Sequence, residues 1–468
     1  MLKNIIYKEI QEQMISTKML IAASIIVPMM IANGVIFNIQ HANKLDKYDR
    51  ERIESTDAIR KESSSLRNLL FHHQKLIKTP SKLAFISNAE EHVLPNGLWI
   101  DYFEESQPEF HKGQNRYFSR FSSIDWSFIM IYVISFICIA FSYSAFSGEK
   151  VKGTLKLMMS NSMSRGSLML GKFIGIVVCI TAPLIIGMLL DLIIIQLSSN
   201  MIFTGSDLWV ILIFGITALL FISFNVLMGF LISCLTMKPI HSLNVVLILW
   251  ILLNIIVPSV SWIFSKKMVD VPSEANLTKY AYDTAREENR KGGYSWSYHS
   301  AWQGKPPNET LRSRAEGIQL LTAVQQEIMQ NYLQDKFRQT QLAIRLSKIS
   351  PFSVFRFIGE SLSDNGFQGF TNFHQQVRTY RTTFNDFIFQ KDQQDPDSYH
   401  LIWNESWASR TFSSGKPVAF EEIPRFEYRT PAVSELLKNS LIDILILVLW
   451  NLVLFTGTFV SFMRYDVR

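Results

Sequence analysis

The chain has 468 residues, a formal charge of +6, 48% hydrophobic and 18% charged residues. That blend is too polar for a bundle of membrane helices alone and too apolar in blocks for a soluble enzyme. Lys and Arg are dispersed through mixed-charge segments rather than gathered in one run, which argues against nucleic-acid binding and leaves the excess base to orient the chain in a membrane.

In chain order, Leu2, Ile5, Ile6, Ile10 and Met14 line one face of a helix while Lys3, Lys8, Glu9, Gln11 and Glu12 occupy the other, the pattern of a helix lying in the membrane interface. A first apolar span follows at 19–39. It is read as retained rather than cleaved, because its polar leader is long and no small-x-small site follows cleanly. Further spans fall at 126–146, 173–197, 208–235, 243–264 and 436–462, each long enough to cross a hydrocarbon core of about 30 Å. The three cysteines, Cys138, Cys179 and Cys234, lie inside these spans, so no disulfide framework, zinc knuckle or CxxC pair is available to the polar regions.

The 147–172 loop carries Lys150, Lys152, Lys156, Arg165 and Lys172 against the single acid Glu149, the positive-inside signature of a short cytoplasmic loop. Placing it inside puts the N-terminus with Lys3, Lys8 and Lys18, the 236–242 turn with Lys238, and the tail with Arg464 and Arg468 on the same side, and each of these pieces is rich in base. Two large segments, 41–124 and 265–435, are then extracytoplasmic, and both are expected to be mainly helical. In the second, Phe370, Phe373, Val377, Tyr380, Phe384 and Phe387 alternate three- and four-residue steps, and Ile318, Leu321, Val324, Ile328 and Tyr332 make a similar stripe upstream that Ser350-Pro351 ends. These stripes read as the core of a helical hairpin. The expected architecture is an all-α membrane protein: six transmembrane helices with two mainly helical extracytoplasmic insertions.

Chemistry-bearing motifs are sparse. Gly166 to Lys172 fits the GxxxxGK part of a phosphate-binding loop, but Phe173 stands where a magnesium-binding Ser or Thr is required and no strand leads into it. The chain is therefore not expected to hydrolyse ATP, and no catalytic residues are assigned. His72 and His73 point about 100° apart on a helix, so they form no ready chelate and no metal site is assigned. The cluster Tyr294, Trp296, Tyr298 and Trp302 suits packing between helices better than a ligand loop. Inside the spans, Asp191, Asn225, Asn254, Asp443 and Asn451 are costly in lipid and should face protein or water. Asp191, Asn225, Asn254 and Asn451 are the candidates for lining a path, although Asp191 and Asp443, near the outer ends, serve equally well as hydrated interfacial carboxylates. Pro28 and Pro183 should bend their helices.

The run Ser147-Gly-Glu149-x3-Gly153-Thr154-Leu155, with Arg165 and Gly171-Lys172 beyond it, resembles the membrane subunit of type-2 ABC transporters. Tyr7-Lys8-Glu9-Ile10 ahead of the first span is similar to that family's interfacial helix, and Asp125-Trp126 and Ser350-Pro351 resemble its bacterial subgroup with large extracytoplasmic insertions after the first and fifth spans. The resemblance implies a permease in the bacterial cytoplasmic (inner) membrane, with both termini cytoplasmic. It would work as a homo- or heterodimer with a cytosolic ABC ATPase dimer that holds ATP and Mg. Glu149, Lys150, Lys152, Gly153, Thr154, Leu155, Lys156, Arg165 and Lys172 would then form a coupling helix and its surround against the ATPase. A proline common in the family is replaced by Ser162-Met163, and the short re-entrant helices usual between the last two spans are expected to be replaced by the 265–435 segment. The competing class is a membrane-anchored receptor or scaffold whose exterior segments bind a partner protein while the spans only anchor it.

Overall fold

The structure, a computed structural model, describes residues 2–88, 94–105, 124–155, 164–198, 201–294, 309–405 and 411–464. It opens with α1 (Leu2–Met14), followed after a Ser16 N-cap by α2 (Thr17–Glu62). At about 1.5 Å per residue the 46 residues of α2 exceed a bilayer core about twofold. The helix leaves the membrane without a break because 41–62 holds neither Gly nor Pro and carries i,i+4 pairs such as Arg50–Asp46 at 2.8 Å.

The 41–124 segment, expected to be mainly helical, carries a small sheet as well. After α3 (Leu66–Leu70) it forms a two-stranded antiparallel sheet, β1 (Gln74–Ile77) and β2 (Gly97–Ile100), with Gln74 opposite Ile100. The two insertions also pack together. Leu66, Leu69, Leu70, Leu76 and Leu98 of the first share one core with Phe370, Phe373, Val377 and Phe384 of the second. The aromatic stripe read from the sequence is thus the wall both insertions pack against, on α14 (Phe367–Gln393). The upstream stripe lies on α12 (Glu309–Ser347), preceded by α11 (Glu274–Lys291). Most of the aromatic cluster near Trp302 lies outside the described residues.

Among the described residues six helical stretches are long and apolar enough to cross a membrane. The first is α2 and the second runs through α4 (Trp126–Phe128), a π-helical segment Ile129–Ile134 and α5 (Ser135–Ser142), continuing toward α6 (Ser147–Lys152). The third and fourth are α7 (Arg165–Ser198) and α8 (Gly205–Leu235). The fifth joins α9 (Pro239–Ile251), a π-helical segment Leu252–Ile256 and α10 (Val257–Met268), and the last is α15 (Val433–Met463). Helices α2 and α7 continue through Pro28 and Pro183. The distortions the sequence did not reveal are the two π segments, whose wider turns open the backbone ladder.

The 265–435 segment does more than sit outside the spans. After a Lys348–Ser350 turn, α13 (Pro351–Leu362) re-enters the bundle, and Phe352, Val354, Phe355, Ile358 and Leu362 join the core of the spans. Phe352 meets Phe221 and Phe224 edge-on, while Phe355 stacks on Phe221 at 4.4 Å between ring centroids. Gly359 abuts Ser127, which has space because no Cβ projects there. The expectation that re-entrant structure had been replaced is therefore corrected: α13 supplies it, and its 12 residues are too few to register as a span.

Candidate functional site

Helix α6 sits where span two gives way to span three, and its sequence explains how it is fixed. Phe146 is fully buried between Phe230 and Phe462. The backbone N–H groups of Phe146 and Ser147, which a helix start leaves without intrahelical partners, both donate to Ser233 Oγ of α8 at 3.0 Å. Lys150 Nζ donates to the carbonyls of Cys234 at 2.5 Å and Thr236 at 2.9 Å, so a cation sits at the negative end of α8. Gly153 ends α6 with φ +72°, a left-handed conformation that glycine adopts without Cβ strain, and no atom of the described residues beyond its chain neighbours lies within 4 Å of where its Cβ would be. Glycine is needed there for its backbone, not for a close contact within the chain.

Two of the remaining charges of this region, Glu149 and Lys172, turn inward. Lys172 Nζ is 2.7 Å from Glu149 Oε1 and 3.3 Å from Glu9 Oε2, and all three side chains are largely buried. Gln13 Nε2 also donates to Glu9 Oε1 at 2.8 Å. The sequence reading put Glu9 on the solvent face of α1. In fact Glu9 follows Ile5 by one turn and shares its face, where it meets α7. That contact is made by Gly171 and Gly175, whose missing Cβ atoms would lie 2.5 Å from Ile5 and 2.7 Å from Glu9. A small-xxx-small pair in an apolar helix is the sequence signal that could have located it.

Of the nine residues assigned to an ATPase interface, Leu155 is 2% exposed and belongs to the core of the spans. Glu149, Lys150 and Lys172 are engaged inside the chain, and Arg165 Nη1 donates to Met463 O at the end of α15. Thr154 is half-buried over the Glu149 carbonyl. Lys156 lies outside the described residues. Lys152 and Gly153 are exposed, together with Val151, an apolar residue the sequence reading passed over.

The polar residues of the spans are held by their neighbours. Asp191 is fully buried and accepts from Trp126 Nε1 and from Asn33 Nδ2 at 3.0 Å, beneath the space left by Gly34. Asp443 is also buried, 2.5 Å from Lys348 of the re-entrant turn. Neither is a hydrated interfacial carboxylate, because α2 covers the first and the re-entrant turn the second. Asn225 donates to Phe221 O at 2.8 Å within its own helix, and Asn451 ties α15 to Leu220 O of α8 at 3.1 Å. Asn254, in the second π segment, lines a cavity of about 20 Å³ with Ser87, Ser127, Ser353 and Arg356, room for roughly one water.

At the other end of the molecule Asp395 accepts from Ser414 Oγ at 2.5 Å and pairs with Lys416 at 2.6 Å. The hydrogen bond from Lys416, then that from Ser414, lowers its pKa to about 2. No group of three or more metal-ligating side chains occurs among the described residues. The Gly166–Lys172 run is helical, and its lysine is committed to two carboxylates.

Six helices among the described residues that are apolar and long enough to cross a membrane define a multi-pass membrane protein. The family described as ABC-2 family transporter protein matches residues 3–467, nearly the whole chain, and the chain belongs to that family: it is a permease of an ABC transporter. A comparison with curated proteins gives no match.

Proposed function

We propose that this permease is driven by a separate cytosolic ATPase that binds ATP and Mg, two copies of which engage a dimer of permeases, and that the assembly exports or extracts a substrate across a bacterial inner membrane. The observation that carries this reading is the bracing of α6. It is tied to α8 by Ser233 and Lys150 and to α7 by Glu149, while Val151 and Lys152 project outward. A short helix clamped on two sides and bare on a third transmits a push to the spans, whereas a solvated connector would not. Val151, Lys152 and Gly153 are the described residues that would meet the ATPase.

The orientation follows from grouping basic residues at one end. Lys150 reaches the end of α8 and Arg165 the end of α15, so the 147–172 loop, the 236–242 turn and the tail share one side. By the positive-inside rule that side, with both termini, is cytoplasmic. The shared core of the two insertions is then extracytoplasmic.

The test is affinity purification of the tagged chain from its source in mild detergent, alone and as Val151→Asp/Lys152→Glu. An ATPase should accompany the wild type and be lost from the variant, and the chain stripped of that partner should show no ATP turnover. Failure of any ATPase to accompany a well-expressed wild type refutes the reading and leaves the receptor or scaffold class.

A further inference from the structure

Three charged groups near α6 come from parts of the chain far apart in sequence: Glu9 on α1, Glu149 on α6 and Lys172 on α7, the first and last 163 positions apart. Taking three charges out of water is costly unless each is paired, and stability alone would be served as well by apolar residues. The arrangement is also unbalanced, since two carboxylates share one ammonium and hold it at unequal distances, 2.7 Å for Glu149 and 3.3 Å for Glu9.

We propose that Glu9, Lys172 and Glu149 form the joint through which displacement of α6 reaches the interfacial helix α1. This rests on the reading of α6 as the ATPase contact. When α6 is pushed, Glu149 moves with it and its hold on Lys172 slackens. Lys172 is then left to Glu9, and α1 is drawn along α7. Gly171 and Gly175 let α1 lie close against α7, because the side chains of Ile5 and Glu9 rest directly on α7 where no Cβ stands between them. The Lys8–Glu12 pair at 3.5 Å is exposed and lies to one side of Glu9, roughly 60–100° around α1. These are positioning residues: none meets nucleotide or substrate.

The test uses the permease–ATPase complex with Cys138, Cys179 and Cys234 replaced by alanine and a reporter cysteine at Tyr7, which is 72% exposed on α1. Maleimide labelling of that cysteine is timed without nucleotide and after trapping with Mg-ATP and vanadate. Trapping should change the rate by about fivefold, the lower end of couplings between linked sites. Glu9→Gln, which keeps the Glu149–Lys172 pair and the outer face of α6, should abolish most of that change while the ATPase stays bound. Lys172→Arg, which keeps a cation between the carboxylates, should preserve it. A full nucleotide response in Glu9→Gln, or none in the parent complex, overturns the joint while leaving the ATPase partnership standing. A parent chain that brings down no ATPase overturns both.

Discussion

Removing Lys348 isolates a charge. Asp443 is 2% exposed within α15, and its carboxylate lies 2.5 Å from Lys348 Nζ at the turn where α12 gives way to the re-entrant α13. Lys348→Met keeps most of the side-chain stem and its packing but leaves the carboxylate buried without its counter-ion. The cost of orphaning one partner of a buried pair is about 3–5 kcal/mol. Replacing both partners, as Lys348→Met/Asp443→Leu, removes the charge along with its desolvation cost and should recover most of the loss. The variants should be compared by reversible unfolding in mixed micelles, monitored through Trp450, which lies on α15 and meets Phe224 edge-on. A non-additive term of about 2–3 kcal/mol across the cycle is expected, as for side chains in direct contact. If the single lysine variant is no less stable than the double, the pair does not secure the re-entrant turn and the reasoning fails.

Two further outcomes follow from the geometry. At Gly153, with φ +72°, a β-branched residue is strained by roughly 1–2 kcal/mol whereas asparagine tolerates the left-handed region. Gly153→Val should therefore weaken ATPase pull-down and Gly153→Asn largely preserve it; equal binding by both would show that the turn does not shape the contact. Asp395 has a folded pKa of about 2, below its unfolded value, so the stability it contributes is full above the ordinary carboxylate range and is lost as pH falls toward 2. Lys416→Met should flatten acid unfolding of the shared distal core between about pH 4 and 2, and an unchanged profile would remove that pair from the account.

Much of the helical framework was legible because it rests on local pattern. The stripe from Phe370 to Phe387 marks α14 by its three- and four-residue steps, and Phe373, Val377 and Phe384 are fully buried there. Ser350-Pro351 reads as the end of the upstream stripe, and α12 stops at Ser347, three residues before Ser350 caps α13. The sequence signal failed where a residue's role depends on a remote neighbour. Glu9 reads as part of the polar face of α1 because helical periodicity reports a side chain's direction but not what lies there, and the resemblance places Glu149 and Lys172 at the ATPase surface without showing their partners within the chain. The β1–β2 pair escaped because a four-residue strand has too short an alternation to stand out.

Sequence alone therefore determined six crossings and the helix faces, because transfer of about 20 apolar residues into hydrocarbon and the period of a helix are properties of contiguous chain. It also pointed to the permease family through Ser147–Leu155, since that run carries its pattern without reference to the fold. Tertiary structure alone decided that α13 returns into the bundle, that both insertions share one core, and that Asp191, Asp443 and Lys172 are buried with partners. A charge is stable in a low-dielectric interior only when a specific counter-group arrives within a few ångströms, and for Lys172 those groups come from α1 and α6.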